Sequence, residues 1–125
     1  MNIKKSVLPY GRQYIDEEDI RSVEKVLKSD YLTTGPMVEQ FESKIKSYVN
    51  VKNAVVCSSG TSALFIASMA IGLSKDDAVI IPSITFVATA NAPDFLGAEI
   101  VIADVDPLTG LMTFENIKEA IKRAK

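Results

Sequence analysis

Three short, almost unbroken apolar runs alternate with stretches of helical periodicity, and no other feature of this chain limits its fold as much. The runs are Asn53-Ala54-Val55-Val56-Cys57, Ala78-Val79-Ile80-Ile81 and Glu99-Ile100-Val101-Ile102-Ala103-Asp104-Val105. Near-continuous β-branched content reads as strands enclosed on both faces. Between the runs lie a helix over about 61–73, whose centre Leu64-Phe65-Ile66-Ala67-Ser68-Met69-Ala70-Ile71 reads as buried, and a second helix from Phe86 to Leu96 that Gly97 stops in a C-cap position. Strands alternating with helices predict a parallel sheet covered on both faces. The fold class is α/β.

The flanks are helical. Asp16 stands as N-cap before Glu17-Glu18-Asp19, and Ile20, Val23, Val26 and Leu27 form one apolar face. Leu32-Thr33-Thr34-Gly35-Pro36 breaks that helix, and Pro36 suits the first turn of the next. Val38, Phe41, Ile45, Tyr48 and Val49 then make a second stripe, with Glu39, Glu42, Lys44 and Lys46 as its solvated side. Beyond the third run, Asp106-Pro107-Leu108-Thr109-Gly110 is a turn, and Thr113 caps a last helix facing inward through Phe114, Ile117, Ala120, Ile121 and Ala124.

Composition excludes several classes of function. A net charge of -2 argues against nucleic acid or an anionic membrane as partner. No apolar stretch approaches the roughly 20 residues of a membrane span. The basic start, Met1-Asn2-Ile3-Lys4-Lys5, is not followed by a signal-peptide core, so a cytoplasmic protein is expected. The chain has no histidine, which removes Ser-His-Asp and Cys-His catalysis and most zinc sites, and no metal site is expected. Its one cysteine, Cys57, forms no internal disulfide and reads as a small buried hydrophobe.

The segment richest in chemistry is Ser58-Ser59-Gly60-Thr61-Ser62-Ala63-Leu64, between a predicted strand and a predicted helix. Backbone N–H groups and the positive end of the helix dipole converge there, a ready anion site. It is not a Walker A loop, and with Gly60 alone it is not a dinucleotide fingerprint. By itself it reads most simply as a helix cap. A second segment, Pro82-Ser83-Ile84-Thr85-Phe86-Val87-Ala88-Thr89-Ala90-Asn91-Ala92, begins where the next strand ends. Ligands of open α/β sheets collect at the carboxyl ends of strands. Phe86 could lie there against a planar heterocycle, or serve as plain core.

Taken in order, these segments resemble one family. The series runs Tyr10, Ile15-Asp16, Tyr31-Leu32-Thr33-Thr34-Gly35-Pro36, Val38-Glu39-Gln40-Phe41-Glu42 and Val51-Lys52-Asn53-Ala54-Val55. It continues through Ser58 to Leu64, Pro82 to Asn91, Gly97-Ala98 and Asp104-Val105-Asp106. Over nearly its whole length the chain is similar to the N-terminal part of the DegT-type sugar aminotransferases, fold-type I pyridoxal-phosphate enzymes that aminate nucleotide-linked keto sugars. Within them it most resembles the enzymes that place the C4 amino group on a UDP-linked 4-keto-6-deoxy sugar on the way to pseudaminic acid. The resemblance implies an incomplete large domain, a mostly parallel sheet flanked by helices, over residues 51–125, preceded by an N-terminal helical segment over 1–50. It implies that Gly60, Thr61 and Ser62 hold the phosphate of pyridoxal 5'-phosphate and that Phe86 stacks on its ring. Thr33, Thr34 and Gly35 would lie beside the cofactor and the sugar-nucleotide substrate, in an active site shared across a homodimer. Thr89 and Asn91 lie near the stacking residue without a definite role.

The resemblance also implies an absence. In the family the Schiff-base lysine and the acid that holds the pyridine nitrogen protonated lie C-terminal to the matched segment, so the lysine is expected beyond Lys125 and no catalytic residue is assigned here. Lys25, Lys28, Lys44, Lys46, Lys118 and Lys122 interleave with acids on amphipathic helices and Lys75 sits in a polar turn, each a solvated charge. In the family the strand matching 53–57 lies on one side of the sheet and those matching 78–81 and 99–105 on the other, with later strands between. The expectation is therefore a truncated or split aminotransferase, inactive alone. Two alternatives stand: a non-enzymatic fragment that pairs with a separate C-terminal half or a full-length relative, and a small α/β module binding a phosphorylated ligand at Gly60 to Ser62.

Overall fold

In the computed structural model residues 11–124 are described, and they divide into two units that meet in sequence at Val55 and Val56. The basic stretch 1–5, Tyr10 and Lys125 lie outside the described residues.

The first unit is a pair of helices with well-defined caps. Helix α1 (Glu17–Leu27) begins at Asp16, whose Oδ1 accepts the amides of Glu18 at 2.9 Å and Asp19 at 3.0 Å. Asp19 Oδ2 returns the favour to the Asp16 amide at 3.1 Å, completing a capping box made from two aspartates. Glu17, Glu18 and Asp19 also place negative charge on the positive end of the helix dipole. Helix α2 (Pro36–Tyr48) starts with Pro36 at its first turn. Gly35 before it has φ +145°, and a Cβ there would stand 2.7 Å from Tyr31 Cβ, so the break demands glycine on two counts. Asn50, at φ +54°, takes the left-handed position after α2 while the Val51 amide reaches back to Lys46 O at 3.0 Å. The predicted apolar face of α1 is present but bare: Val26 is half-buried, whereas Ile20, Val23 and Leu27 are exposed.

The second unit runs α3 (Gly60–Ala70), β1 (Ala78–Pro82), α4 (Ala88–Asp94), β2 (Glu99–Ala103) and α5 (Phe114–Ile121). Strands β1 and β2 pair in parallel, Ala78 opposite Glu99 through Pro82 opposite Ala103, with α4 as the crossover. Glycine ends two of the helices in the left-handed conformation: Gly72 at φ +78° after α3 and Gly97 at φ +85° after α4. Thr113 caps α5 as expected, its Oγ1 accepting the Asn116 amide at 3.2 Å while Asn116 Oδ1 accepts the Thr113 amide at 2.9 Å.

The core is small and built from small side chains. Val101, Ala103 and Ala120 are its centre, with Ile80, Met112 and Ala124 packed around them, so α5 is seated on β2 through alanines. Ile81, Ala88, Ala92, Pro93 and Ala98 are the other buried residues among those described, where α4 crosses the strands. The amide of Glu99 donates to Asp77 O at 2.9 Å and that of Ser83 to Ala103 O at 2.8 Å, so the odd-numbered residues of β2 face β1. Ile102 therefore points its carbonyl to the outer edge, and there Arg123 Nη2 donates to it at 2.7 Å. A guanidinium on an edge carbonyl is one way to close a strand edge.

Five expectations are corrected. The run 53–57 is not a strand, because a strand exists only by joining a ladder and the sheet of the described residues contains β1 and β2 alone; Val55 is 81% exposed. Cys57 is exposed rather than buried for the same reason. The helix from Gly60 has no buried residue although it is apolar almost all round, a composition that needs neighbours on several sides. The helix expected from Phe86 starts at Ala88, after a bend over 83–85, and the third strand stops at Ala103 instead of Val105. Beyond it Asp106 organises the turn instead: its Oδ1 accepts the amides of Leu108 at 3.0 Å and Thr109 at 2.8 Å and the Thr109 hydroxyl at 3.0 Å. These bonds, the Thr109 amide first, hold the Asp106 carboxyl below its ordinary value of 3.8.

Candidate functional site

The entry to α3 is a cluster of hydroxyls around open amides. Ser59 is the N-cap, and its Oγ accepts the Ser62 amide at 3.1 Å. Ser62 Oγ lies 3.0 Å from Ser59 Oγ and 3.3 Å from Ser58 Oγ. The Cys57 thiol donates to Ser59 O at 3.3 Å, which fixes the approach of the chain to the cap. Capping occupies the Ser62 amide, and among the described residues the amides of Gly60 and Thr61 have no acceptor. These two N–H groups are the donors an anion would find.

Gly60 is not required by the fold. Its φ is not in the left-handed region, and a Cβ on it would meet nothing within 4 Å. A glycine at the first position of a helix costs stability relative to alanine. What it provides here is clearance over the free amides.

Phe86 joins this site from the other side. It lines a hollow of about 680 Å³ together with Gly60, Thr61, Ala63, Leu64, Ala67 and Ala88. The ring is 73% exposed, available to a planar group laid against it. No side chain in this hollow is a lysine or an acid. Of the lysines, Lys28 pairs with Glu24, Lys75 with Asp76 at 3.6 Å and Lys122 with Glu119 at 2.6 Å, while Lys118 lies 4.4 Å over the Phe114 ring.

The sequence-predicted residues thus separate into three groups. Gly60, Thr61 and Phe86 share the large hollow. Ser62 faces a second one of about 480 Å³ between α3 and α4, with Thr61, Phe65, Asn91 and Phe95. Phe65 and Phe95 meet there edge to face, their centroids 6.2 Å apart. Thr33, Thr34 and Gly35 line a hollow of about 320 Å³ inside the first unit, where Lys25 and Tyr31 join them. Asn91, left without a definite role by the resemblance, is a wall of the second hollow, and Lys25, read as a solvated charge, is a wall of the third. Helical spacing was the only signal for Lys25, and it reads the same for a solvated residue.

The profile of one protein family matches residues 13–125, and it is described as the DegT/DnrJ/EryC1/StrS aminotransferase family. The chain belongs to that family. Solved structures agree. A sugar aminotransferase of Streptococcus pneumoniae, Spr1654, in its PLP form superposes with a TM-score of 0.81 at 27% identity, over 90% of this chain and 29% of that one. An aminotransferase from Psychrobacter cryohalolentis gives 0.78 at 31% identity, over 89% of this chain and 29% of that one. TlmJ, an aminotransferase of Streptoalloteichus hindustanus, gives 0.76 at 34% identity, over 85% and 29%. The S. pneumoniae protein is solved in PLP, PMP and apo forms. This member of the family has the helices and small parallel sheet of that fold, and it spans under a third of the length of each of these relatives.

Proposed function

We propose that this chain is the phosphate- and ring-binding part of a pyridoxal-phosphate aminotransferase acting on nucleotide-linked keto sugars, in the synthesis of sugars for polysaccharides or glycans. The observation that carries the reading is the large hollow, where two unpaired amides at a helix N-terminus and one exposed aromatic face the same space. That donor set fits the cofactor. The Gly60 and Thr61 amides and the Thr61 hydroxyl would hold the phosphate, and Ser62 would add its hydroxyl by releasing Ser59. Phe86 would cover one face of the pyridine and keep water from it. The cofactor, when bound, supplies the electron sink for moving an amino group.

The residues present bind and orient; none of them moves a proton. With neither lysine nor acid in the hollow, the covalent lysine and the partner of the pyridine nitrogen would come from outside these 125 residues, and the chain alone is inactive. Thr33, Thr34 and Gly35 would contact the sugar nucleotide. A UDP-linked 4-keto-6-deoxy sugar, aminated at C4, is the substrate and a homodimer the assembly that the resemblance favours.

The test is titration of the 125-residue chain with pyridoxal 5'-phosphate, followed by equilibrium dialysis. Binding without borohydride-trappable attachment to any lysine is expected, and Gly60→Val should weaken it at least tenfold by closing the space over the amides. Unchanged affinity in Gly60→Val would reduce the segment to a plain cap. A trapped lysine would overturn the assignment of catalysis to other sequence.

A second reading has its own support, the unburied, all-round apolar helix α3. On that reading the chain works by pairing with a separately made C-terminal half or a full-length relative. Restored aminotransferase activity on mixing the two would establish it, and a cooperative, partner-free monomer would exclude it.

A further inference from the structure

We propose that Thr85 and Thr89 are positioning residues for Phe86, holding its backbone through a pair of hydroxyls that straddles it; the inference rests on the reading of Phe86 as the cofactor-stacking ring. Phe86 belongs to the connection between Pro82, the last residue of β1, and Ala88, the first of α4. At 73% exposure its ring is not wedged by neighbours. Where packing does not aim a side chain, the backbone that carries it must.

That backbone is held at both ends. At the sheet end the Ser83 amide donates to Ala103 O at 2.8 Å. At the helix end Thr89 grips it twice: its amide donates to Phe86 O at 2.9 Å, and its Oγ1 lies 2.9 Å from Thr85 Oγ1. One hydroxyl donates and the other accepts, closing a ring that encloses Phe86, Val87 and Ala88. Helix α4 has no side-chain cap at Val87, so this pair is the polar fastening of its entry. Thr89 is the fixed end, half-buried with the buried Ala88 next to it and Ala92 one turn on; Thr85 is exposed and is the end being held. Both threonines stand outside the set that lines the hollow with Phe86, so neither touches the ring's partner directly.

The experiment uses the 125-residue chain and four variants: Thr85→Val, Thr89→Val, the double variant and Thr89→Ser. Valine keeps the shape and removes the hydroxyl; serine restores it. Backbone ¹⁵N relaxation should show lower order parameters over 84–87 in both single valine variants, no further loss in the double variant, and recovery in Thr89→Ser. Dissociation constants for pyridoxal 5'-phosphate should rise about threefold in the valine variants, the scale of one ordinary hydrogen bond. Those for inorganic phosphate should not change, because the Gly60 and Thr61 amides are untouched. Unaltered order parameters over 84–87, or equal losses for the two ligands, overturn the proposal. If the unmodified chain takes phosphate but shows no preference for pyridoxal phosphate, the cofactor reading fails, and the relaxation data still decide whether the hydroxyl pair holds Phe86.

Discussion

Helices α3 and α5 lie in the same unit and fare in opposite ways. α5 carries a single apolar stripe, and its middle is seated: Ala120 is fully buried against β2, and Ile117 and Ala124 are half-buried. Phe114 and Ile121, expected to face inward, stay 64% and 58% exposed. α3 is the more apolar of the two and buries none of its residues; Leu64, Ile66 and Met69 stay 43–55% exposed. The difference teaches that apolar content sets how much cover a helix needs, while the neighbours within reach set how much it receives. α5 meets a strand that follows α4 by a few residues. α3 has α4 beside it, and no other element of its unit packs closely against it among the described residues.

A charge placed in each helix gives the largest test of this contrast. Ala120→Asp should cost about 3 kcal/mol or more in urea unfolding, since it buries a carboxylate without a partner. Met69→Asp in α3 should stay within about 0.5 kcal/mol, the range of exposed sites. A comparable cost at Met69 would break the comparison, because it would mean that α3 is covered in solution. A smaller effect sharpens the account of the sheet edge. Arg123→Ala should remove about 1 to 2 kcal/mol, the worth of one charged hydrogen bond, and leave the Ile102 carbonyl free on the outer edge of β2. Light scattering should then show more association than in the unmodified chain; no increase would show that the edge is closed by other means.

The smallest effect belongs to the turn after β2. The folded-state pKa of Asp106 is depressed, so its contribution is complete above the ordinary value of 3.8 and is lost as the pH falls through the lower folded value. Amide exchange at Leu108 and Thr109 should therefore quicken, relative to the pH trend of free amides, only below about pH 4. Asp106→Asn should abolish that step. A step that survives the substitution would point to another carboxylate.

Much of the local structure was legible in the sequence because its causes are local. Asp16, Pro36, Thr113 and Gly97 act on amides or dihedrals within a few residues, and each does what its type and position predict. The two strands 78–82 and 99–103 were legible because a short crossover brings their partner strand within reach. The run 53–57 had the same composition and failed, and with it the expectation of a buried Cys57. In the site, the placement of Gly60, Thr61 and Phe86 along one hollow was foreshadowed by ordered motifs. The occupation of the Ser62 amide by Ser59 was not, since a capping serine and a phosphate compete for the same donor and sequence does not rank them. Nor was the Thr85–Thr89 pair: a helix assumed to start at Phe86 would have hidden the bend that makes it.

By itself, then, the sequence determined the caps, the turns, the alternation of strand and helix, and the presence of open amides at Gly60 and Thr61. Those rest on hydrogen bonds and backbone torsions that close within three or four residues. Only the tertiary structure decided which apolar segments are covered, which run becomes a strand, and where the ring of Phe86 stands relative to the helix entry. Burial and strand pairing depend on a second segment arriving from elsewhere in the chain, and the hydrophobicity of one segment carries no information about that arrival.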